Sequence, residues 1–120
     1  MLPENHTDIL ANWTTQFRKG LLELCILNLL ASGEQHGYEL AKRLTALPGM
    51  VITEGTVYPL LSRLKAAGLL DARIEESPAG PPRKYYRITP AGRQLQHHMN
   101  LYWLEVAAGI HELLKESKNG

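Results

Sequence analysis

The sequence predicts a mainly α fold that carries one small β-hairpin and ends in a long helix. Apolar residues recur at helical spacing in three stretches before Gly68. Between Leu70 and Ile88 the period changes to alternation, and helical spacing returns from Pro90 onward. At 120 residues, the chain has the length of a single small domain.

Taken in order, Asp8 to Ser32 reads as the first helix, with Leu22, Ile26, Leu29 and Leu30 on one face and Gly33 as its stop. Gly20 is a place for a break or bend, because an interior glycine weakens a helix by about 1 kcal/mol. "GYELAKRLTAL" fits a second, short helix that buries Leu40, Leu44 and Leu47 and ends at Pro48-Gly49. "MVIT" is read as a short strand. Thr53 is a suitable N-cap for a third helix, "EGTVYPLLSRLKAA", closed by Gly68.

In "LLDARIEES", Leu70, Ala72 and Ile74 share one face and Asp71, Arg73 and Glu75 the other. "RKYYRI" continues the alternation, with Tyr86 and Ile88 inward and Tyr85 and Arg87 outward. Between the two lies "SPAGPP", whose prolines make a stiff hairpin tip. Thr89-Pro90 then reads as an N-cap followed by proline at the first helical position. The last helix runs from about Pro90 to Glu116, with Leu95, Met99, Tyr102, Trp103, Val106, Ile110 and Leu113 at threes and fours.

Helix, helix, helix, hairpin is the order of a winged helix-turn-helix, here residues 1–89, to which residues 90–120 add a C-terminal helix. A helix of roughly seven turns, about 40 Å, exceeds what one packing layer needs. Its apolar stripe calls for a partner, and a second copy of the chain is the simplest one. A homodimer is therefore expected through the 90–116 helix, with the N-terminal helix contributing.

The net charge of +1 says little about partners, but its distribution says more. Residues 77–104 carry Arg83, Lys84, Arg87 and Arg93 and no acid, which makes a local basic strip. The run "LLELCILNLLA" is interrupted by Glu23 and Asn28 and is too short to span a membrane. No basic segment precedes an apolar one at the N-terminus, so a cytoplasmic location is expected. A lone cysteine excludes an intrachain disulfide, and Cys25 reads as a small buried hydrophobe.

In the third helix, Val57, Leu60, Leu61 and Leu64 point toward the core. The opposite face centres on Gly55, Pro59, Ser62 and Ala66, flanked by Tyr58 and Arg63. A plainly solvated face is one reading. Such faces usually carry Lys and Glu at the centre, however, whereas small residues allow close approach to a surface such as the major groove. Pro59 costs an internal helix bond and about 3 kcal/mol, which asks for a reason. A stiff wing with Arg83 and Lys84 at its base can reach phosphates while the helix occupies the groove. Ser62, Arg63 and Thr56 are the candidate base readers; with so few, DNA shape contributes to selectivity.

Three blocks carry a family resemblance: "RKGLLELCILNLLASGEQHGYELAKRL", "TEGTVYPLLSRLKAAGLL" and "GPPRKYYRITPAGR". Together they closely resemble PadR-type transcriptional regulators, over roughly residues 18–95 and in the proper order. The resemblance implies a winged helix-turn-helix that binds double-stranded operator DNA as a homodimer. The short tail resembles the smaller branch of the family, with a single C-terminal dimerisation helix. By resemblance, Thr56, Tyr58 and Arg63 fall on recognition-helix positions, behind the Thr53 cap and beside Ser62. Tyr38 opens the preceding helix, and Arg83 and Lys84 sit on the wing.

Trp103 lies in mid-stripe on the last helix, with Tyr102 adjacent, Met99 one turn before and Ala107, Ala108 and Gly109 after it. Filling the dimer interface is its plain structural role. Smaller PadR-type proteins suggest another, because paired tryptophans there line an apolar pore that accepts flat aromatic compounds. On that resemblance a small planar aromatic effector is expected near Met99, Tyr102, Trp103 and Val106.

Other chemistries find no support. His6, His36, His97, His98 and His111 form neither H-x-x-x-H nor H-E-x-x-H, so no metal is expected, and adjacent His97 and His98 read as solvated. No nucleophile motif or phosphate-binding glycine loop appears, so neither enzyme activity nor a cofactor is expected. Among non-enzymes, a ligand-responsive repressor leads. The alternative is a winged-helix protein–protein interaction module that never touches DNA.

Overall fold

The structure, a computed structural model, describes residues 2–119. Its elements in chain order are α1 (Glu4–Ala31), β1 (Gln35–His36), α2 (Gly37–Thr45), α3 (Glu54–Ala66), β2 (Leu70–Glu75), β3 (Arg83–Ile88) and α4 (Pro90–Asn119). The mainly α fold with a β-hairpin wing and a long terminal helix is the one that the sequence periodicity implies. Principal extents of 63 × 33 × 21 Å make the molecule elongated.

Three leucine-rich helix faces meet in one core, closed by the sheet. Leu22, Ile26, Leu27 and Leu30 of α1 pack with Leu40, Ala41 and Leu44 of α2 and with Val57, Leu60, Leu61 and Leu64 of α3. Leu70, Tyr86 and Ile88 close it from the sheet, so only the sheet's inner face is apolar. Leu27 is fully buried although the sequence reading passes over it, whereas Leu29 and Leu47 only pack at the edge. Each large buried side chain removed from water contributes roughly 1.5–3 kcal/mol.

The sheet has three strands, in the order β1-β3-β2, all antiparallel. Leu70 lies opposite Ile88, and Glu75 opposite Arg83, which fixes the wing register. The two-residue β1, paired as Gln35 with Tyr86 and His36 with Tyr85, is too short to leave a periodic signal in the sequence. It ties the start of α2 to the wing. At that junction a Cβ on Gly37 would meet the Tyr86 ring at 3.1 Å, so the small residue permits the close approach.

Several expectations need correction. α1 starts four residues earlier than Asp8 and runs unbroken through Gly20. "MVIT" is not a strand: Val51 has φ 48°, which interrupts an extended run, and Arg18 Nη1 donates to the Met50 carbonyl at 3.1 Å. Thr53 stands at the N-cap position of α3 but its side chain makes no cap bond; its hydroxyl pairs with that of Thr56 at 3.2 Å. Ile74 faces inward by alternation yet is exposed, because the hairpin extends past the core.

The junction of wing and α4 follows the sequence reading. The Thr89 hydroxyl accepts the Gly92 N–H at 3.0 Å and donates to the Gly68 carbonyl at 2.7 Å, capping α4 and fastening it to the turn before β2. Gly68 itself has φ 79°, the left-handed conformation of a helix-closing glycine. Gly92 is buried, and a Cβ there would overlap the Leu69 carbonyl and the Ile88 side chain. Gly92→Ala is therefore expected to lower stability by about 1–3 kcal/mol in urea unfolding. A variant as stable as the parent would contradict this close approach.

Candidate nucleic-acid interface

α3 presents its small-residue face outward as the sequence suggests, with Gly55, Pro59, Ser62 and Ala66 all exposed. The helix continues through Pro59. Two depressions flank that face, and they divide the predicted contact residues between them.

On the wing side lies a groove of about 410 Å³. Its walls are His36, Gly37 and Tyr38 from the start of α2, Tyr58 and Ser62 from α3, and Pro82, Arg83, Lys84 and Tyr86 from the wing. Tyr38, Tyr58, Ser62, Arg83 and Lys84, distant in sequence, thus share one surface. His36 organises one rim. Its Nδ1 accepts the Tyr38 N–H at 3.2 Å, capping α2, and its ring meets Tyr85 edge-on at 5.3 Å. Tyr38 and Tyr58 are 53% and 39% exposed, so both offer hydroxyls to a ligand in the groove. Partial burial first, and then the nearby Glu54 carboxylate, push the Tyr58 hydroxyl above its ordinary range, so it remains a proton donor at neutral pH.

The second depression, about 630 Å³, separates α3 from α1 and is lined by Lys19, Gly20, Glu23, Thr56, Pro59 and Arg63 among others. Thr56 and Arg63 therefore belong to the opposite flank from Tyr58. Arg63 is folded back: its Nη2 donates to Glu23 Oε1 at 2.5 Å. Nothing in the spacing of either helix signals this pair, since the two residues are 40 apart in sequence.

The basic strip also divides. Arg87 pairs with Asp71 directly across the hairpin at 3.2 Å. Arg93 Nη1 donates to the Ala31 carbonyl at 3.1 Å and so caps the end of α1. Arg73, on the outer face of the sheet, stacks over Tyr85 at 4.5 Å and forks onto Glu34, whose carboxyl is held below its ordinary range by that bond. Arg83 and Lys84 form no ion pair among the described residues. Both sit next to the hairpin tip, not at the base of the wing, since β3 begins at Arg83. Lys84 Nζ lies 5.7 Å from the Tyr86 ring centre, which directs the ammonium toward the groove.

A profile of the transcriptional regulator PadR-like family matches residues 26–98. The chain belongs to this family. Those residues take in the end of α1, the helix pair, the wing and the first turns of α4, so the groove lies wholly within the matched region. Transcriptional regulator Rv3488 of Mycobacterium tuberculosis is 40% identical over 80 residues, 65% of this chain and 71% of that protein. A crystal structure of a PadR family regulator from Eggerthella lenta aligns with a TM-score of 0.77 at 31% identity, over 93% of this chain and 97% of the other. A PadR-like regulator from Bacillus cereus aligns at 0.73 and 36% identity, over 82% and 96%. This PadR-like chain is a transcriptional regulator with a winged-helix fold and is not an enzyme.

A third cleft, of about 560 Å³, runs between α1 and α4 of the PadR-like chain. Met99, Tyr102, Trp103 and Val106 line it from α4, with Phe17, Gly20, Leu21 and Leu24 opposite. The four residues singled out from the stripe thus converge. The α1 wall is the part missed from sequence, because Phe17 and Leu21 lie off the face that enters the core. His98 lines the same cleft while remaining exposed. Cys25 lies only partly buried nearby; burial raises its thiol above the ordinary range, which keeps it protonated.

No helix of the described residues is long and apolar enough to cross a membrane. Since Arg93 is engaged and Lys84 is not, Arg93→Ala is expected to lower stability by about 0.5–1.5 kcal/mol in urea unfolding. Lys84→Ala should change it by less than about 0.5 kcal/mol. Equal losses would contradict the division of the strip.

Proposed function

We propose that the chain is a cytoplasmic repressor that binds operator DNA as a homodimer and releases it when a flat aromatic ligand enters the α1–α4 cleft. The observation that carries the DNA reading is the wing-side groove, where Arg83 and Lys84 face Tyr38, Tyr58 and Ser62. Two cations without ion-pair partners among the described residues, beside a helix with a small-residue face, suit a phosphate backbone and a major groove. In this reading Arg83 and Lys84 hold phosphates and Tyr38 and Tyr58 add hydroxyl contacts. Ser62, Thr56 and Arg63 face base edges, with Thr53 at the helix start. Occupying a promoter blocks polymerase without any further contact, which favours repression.

The dimer is supported by what the single chain leaves uncovered. Leu101, Tyr102, Leu104, Ile110, Leu113 and Leu114 of α4 are exposed, as are Ile9, Leu10, Trp13 and Phe17 of α1. Trp13 and Phe17 already stack at 5.3 Å, which presents a broad apolar face on α1. A second copy covers both helices and closes the cleft over Trp103, itself 37% exposed. A ligand wedged there shifts α1 against α4 and so changes the spacing between the two wings. A protein–protein module is the competing reading, and salt separates the two.

Duplex affinity of the parent is expected to fall steeply with salt. Lys84→Ala should weaken all duplexes alike and lower the log–log salt slope by about one per protomer, measured by fluorescence anisotropy. Affinity that ignores salt would favour the protein-docking module. Sedimentation of the parent should show a dimer, and Val106→Glu, which places a carboxylate in the stripe, should give a monomer or aggregate. Planar aromatic dyes should quench tryptophan fluorescence in a Trp13→Phe background and weaken duplex binding; in Trp103→Ala, dye binding read from the dye's own fluorescence and its effect on the duplex should both vanish. Dye binding that leaves DNA affinity unchanged would contradict the ligand's role.

A further inference from the structure

Arg63 is the only α3 residue among the described ion pairs, and its partner comes from α1, outside the helix pair that forms the proposed DNA surface. Only Nη2 is engaged, by Glu23 Oε1; Nε and Nη1 have no hydrogen-bond partner among the described residues. The guanidinium side chain is 68% exposed and the carboxylate side chain 31%, so the pair is open to solvent. Exposed pairs of this kind are weak and exchange readily. A phosphate or a guanine edge offers Arg63 a second, bidentate partner. Glu23 cannot follow it there, because a carboxylate is repelled by the backbone that attracts the arginine.

We propose that Glu23 competes with DNA for Arg63, so that the α1 carboxylate sets how much of the recognition helix's charge reaches the duplex. Glu23 is in this sense a positioning residue, acting through Arg63 and not by contact with nucleic acid. The proposal rests on the DNA reading above. It makes α1 a restraint on binding strength. In the free protein Arg63 is paired with Glu23, and a duplex that takes Arg63 must break that bond. That cost is the same for every duplex that takes Arg63, and a duplex that makes no use of Arg63 does not meet it. The carboxylate therefore lowers the affinity of duplexes that engage Arg63 and raises the threshold a sequence must meet to engage it.

The test compares anisotropy of a duplex selected by the parent protein with that of a random duplex of equal length, over a range of salt. Glu23→Gln keeps the volume and removes the charge. It is expected to tighten the random duplex about two- to fivefold per protomer, the range for releasing an exposed ion pair, and to steepen the salt slope by about one per protomer. The selected duplex, which also takes Arg63, should gain by at least as much. Glu23→Asp, which keeps the charge but shortens the reach, should shift affinity in the same direction by a smaller factor. In an Arg63→Gln background neither change should have any effect. Equal gains with and without Arg63 would mean that Glu23 merely repels phosphate, and would overturn the proposal. Unchanged or weaker binding by Glu23→Gln, while Lys84→Ala still weakens the duplex, would overturn it and leave the DNA reading standing. A parent that binds no duplex would overturn both.

Discussion

The position of α1 is the constraint on which the other parts depend. Its second half, from Leu22 to Leu30, is clamped in the core by α2, α3 and the sheet. Its first half leaves the core and carries an exposed apolar face. The helix is continuous between the two halves. Gly20 sits where the two halves meet and lines both the α4 cleft and the α3 depression. A larger side chain there would fill space on both sides, so the glycine that looks like a helix defect in sequence instead opens room beside each neighbour. Arg18 and Glu23 then reach from this helix to the turn before α3 and to α3 itself.

The wing shows how a chain of nearly balanced charge can still present an electropositive surface. Its outer face is a closed set of partners, Glu34 with Arg73 and Asp71 with Arg87, with Tyr85 beneath Arg73. These pairs are exposed, so each contributes little to stability; Glu75, opposite Arg83 at the tip, also turns to Arg73, at 3.4 Å. Arg83 and Lys84 are left facing the groove. The three-stranded arrangement matters here, because β1 joins the cap of α2 to the middle strand and brings His36 and Tyr38 to the same rim as Lys84. Distance along the sequence gives no hint of that meeting.

Much of this was legible before the fold was known, for identifiable reasons. Helices and hairpin announce themselves through spacing, and caps such as Thr89-Pro90 and the glycine at position 68 mark their ends with residues of strong local preference. The groove residues Tyr38, Tyr58, Ser62, Arg83 and Lys84 were legible from residue type together with family resemblance. What sequence could not show depends on long-range geometry. Glu23 with Arg63, Arg93 on the end of α1, and Phe17 opposite Trp103 are all pairings between elements far apart in the chain. Local preference also misled twice. The β-branched run at Val51 and Ile52 suggested a strand, but no partner lies beside it and Arg18 ties the turn down. Threonine at position 53 suggested a side-chain cap, but its hydroxyl found Thr56 instead.

The central claim is that the small-residue face of α3 and the tip of the wing act as one DNA-binding surface, held together through β1 and the start of α2. Backbone amide NMR during titration with a duplex selected by the protein tests it most directly. The account predicts that the shifts concentrate at residues 36–38, 54–63 (apart from Pro59) and 83–85 and fade together as salt is raised. Shifts confined to α1 and α4, with the amides of α3 and the wing tip unmoved at saturation, would contradict it.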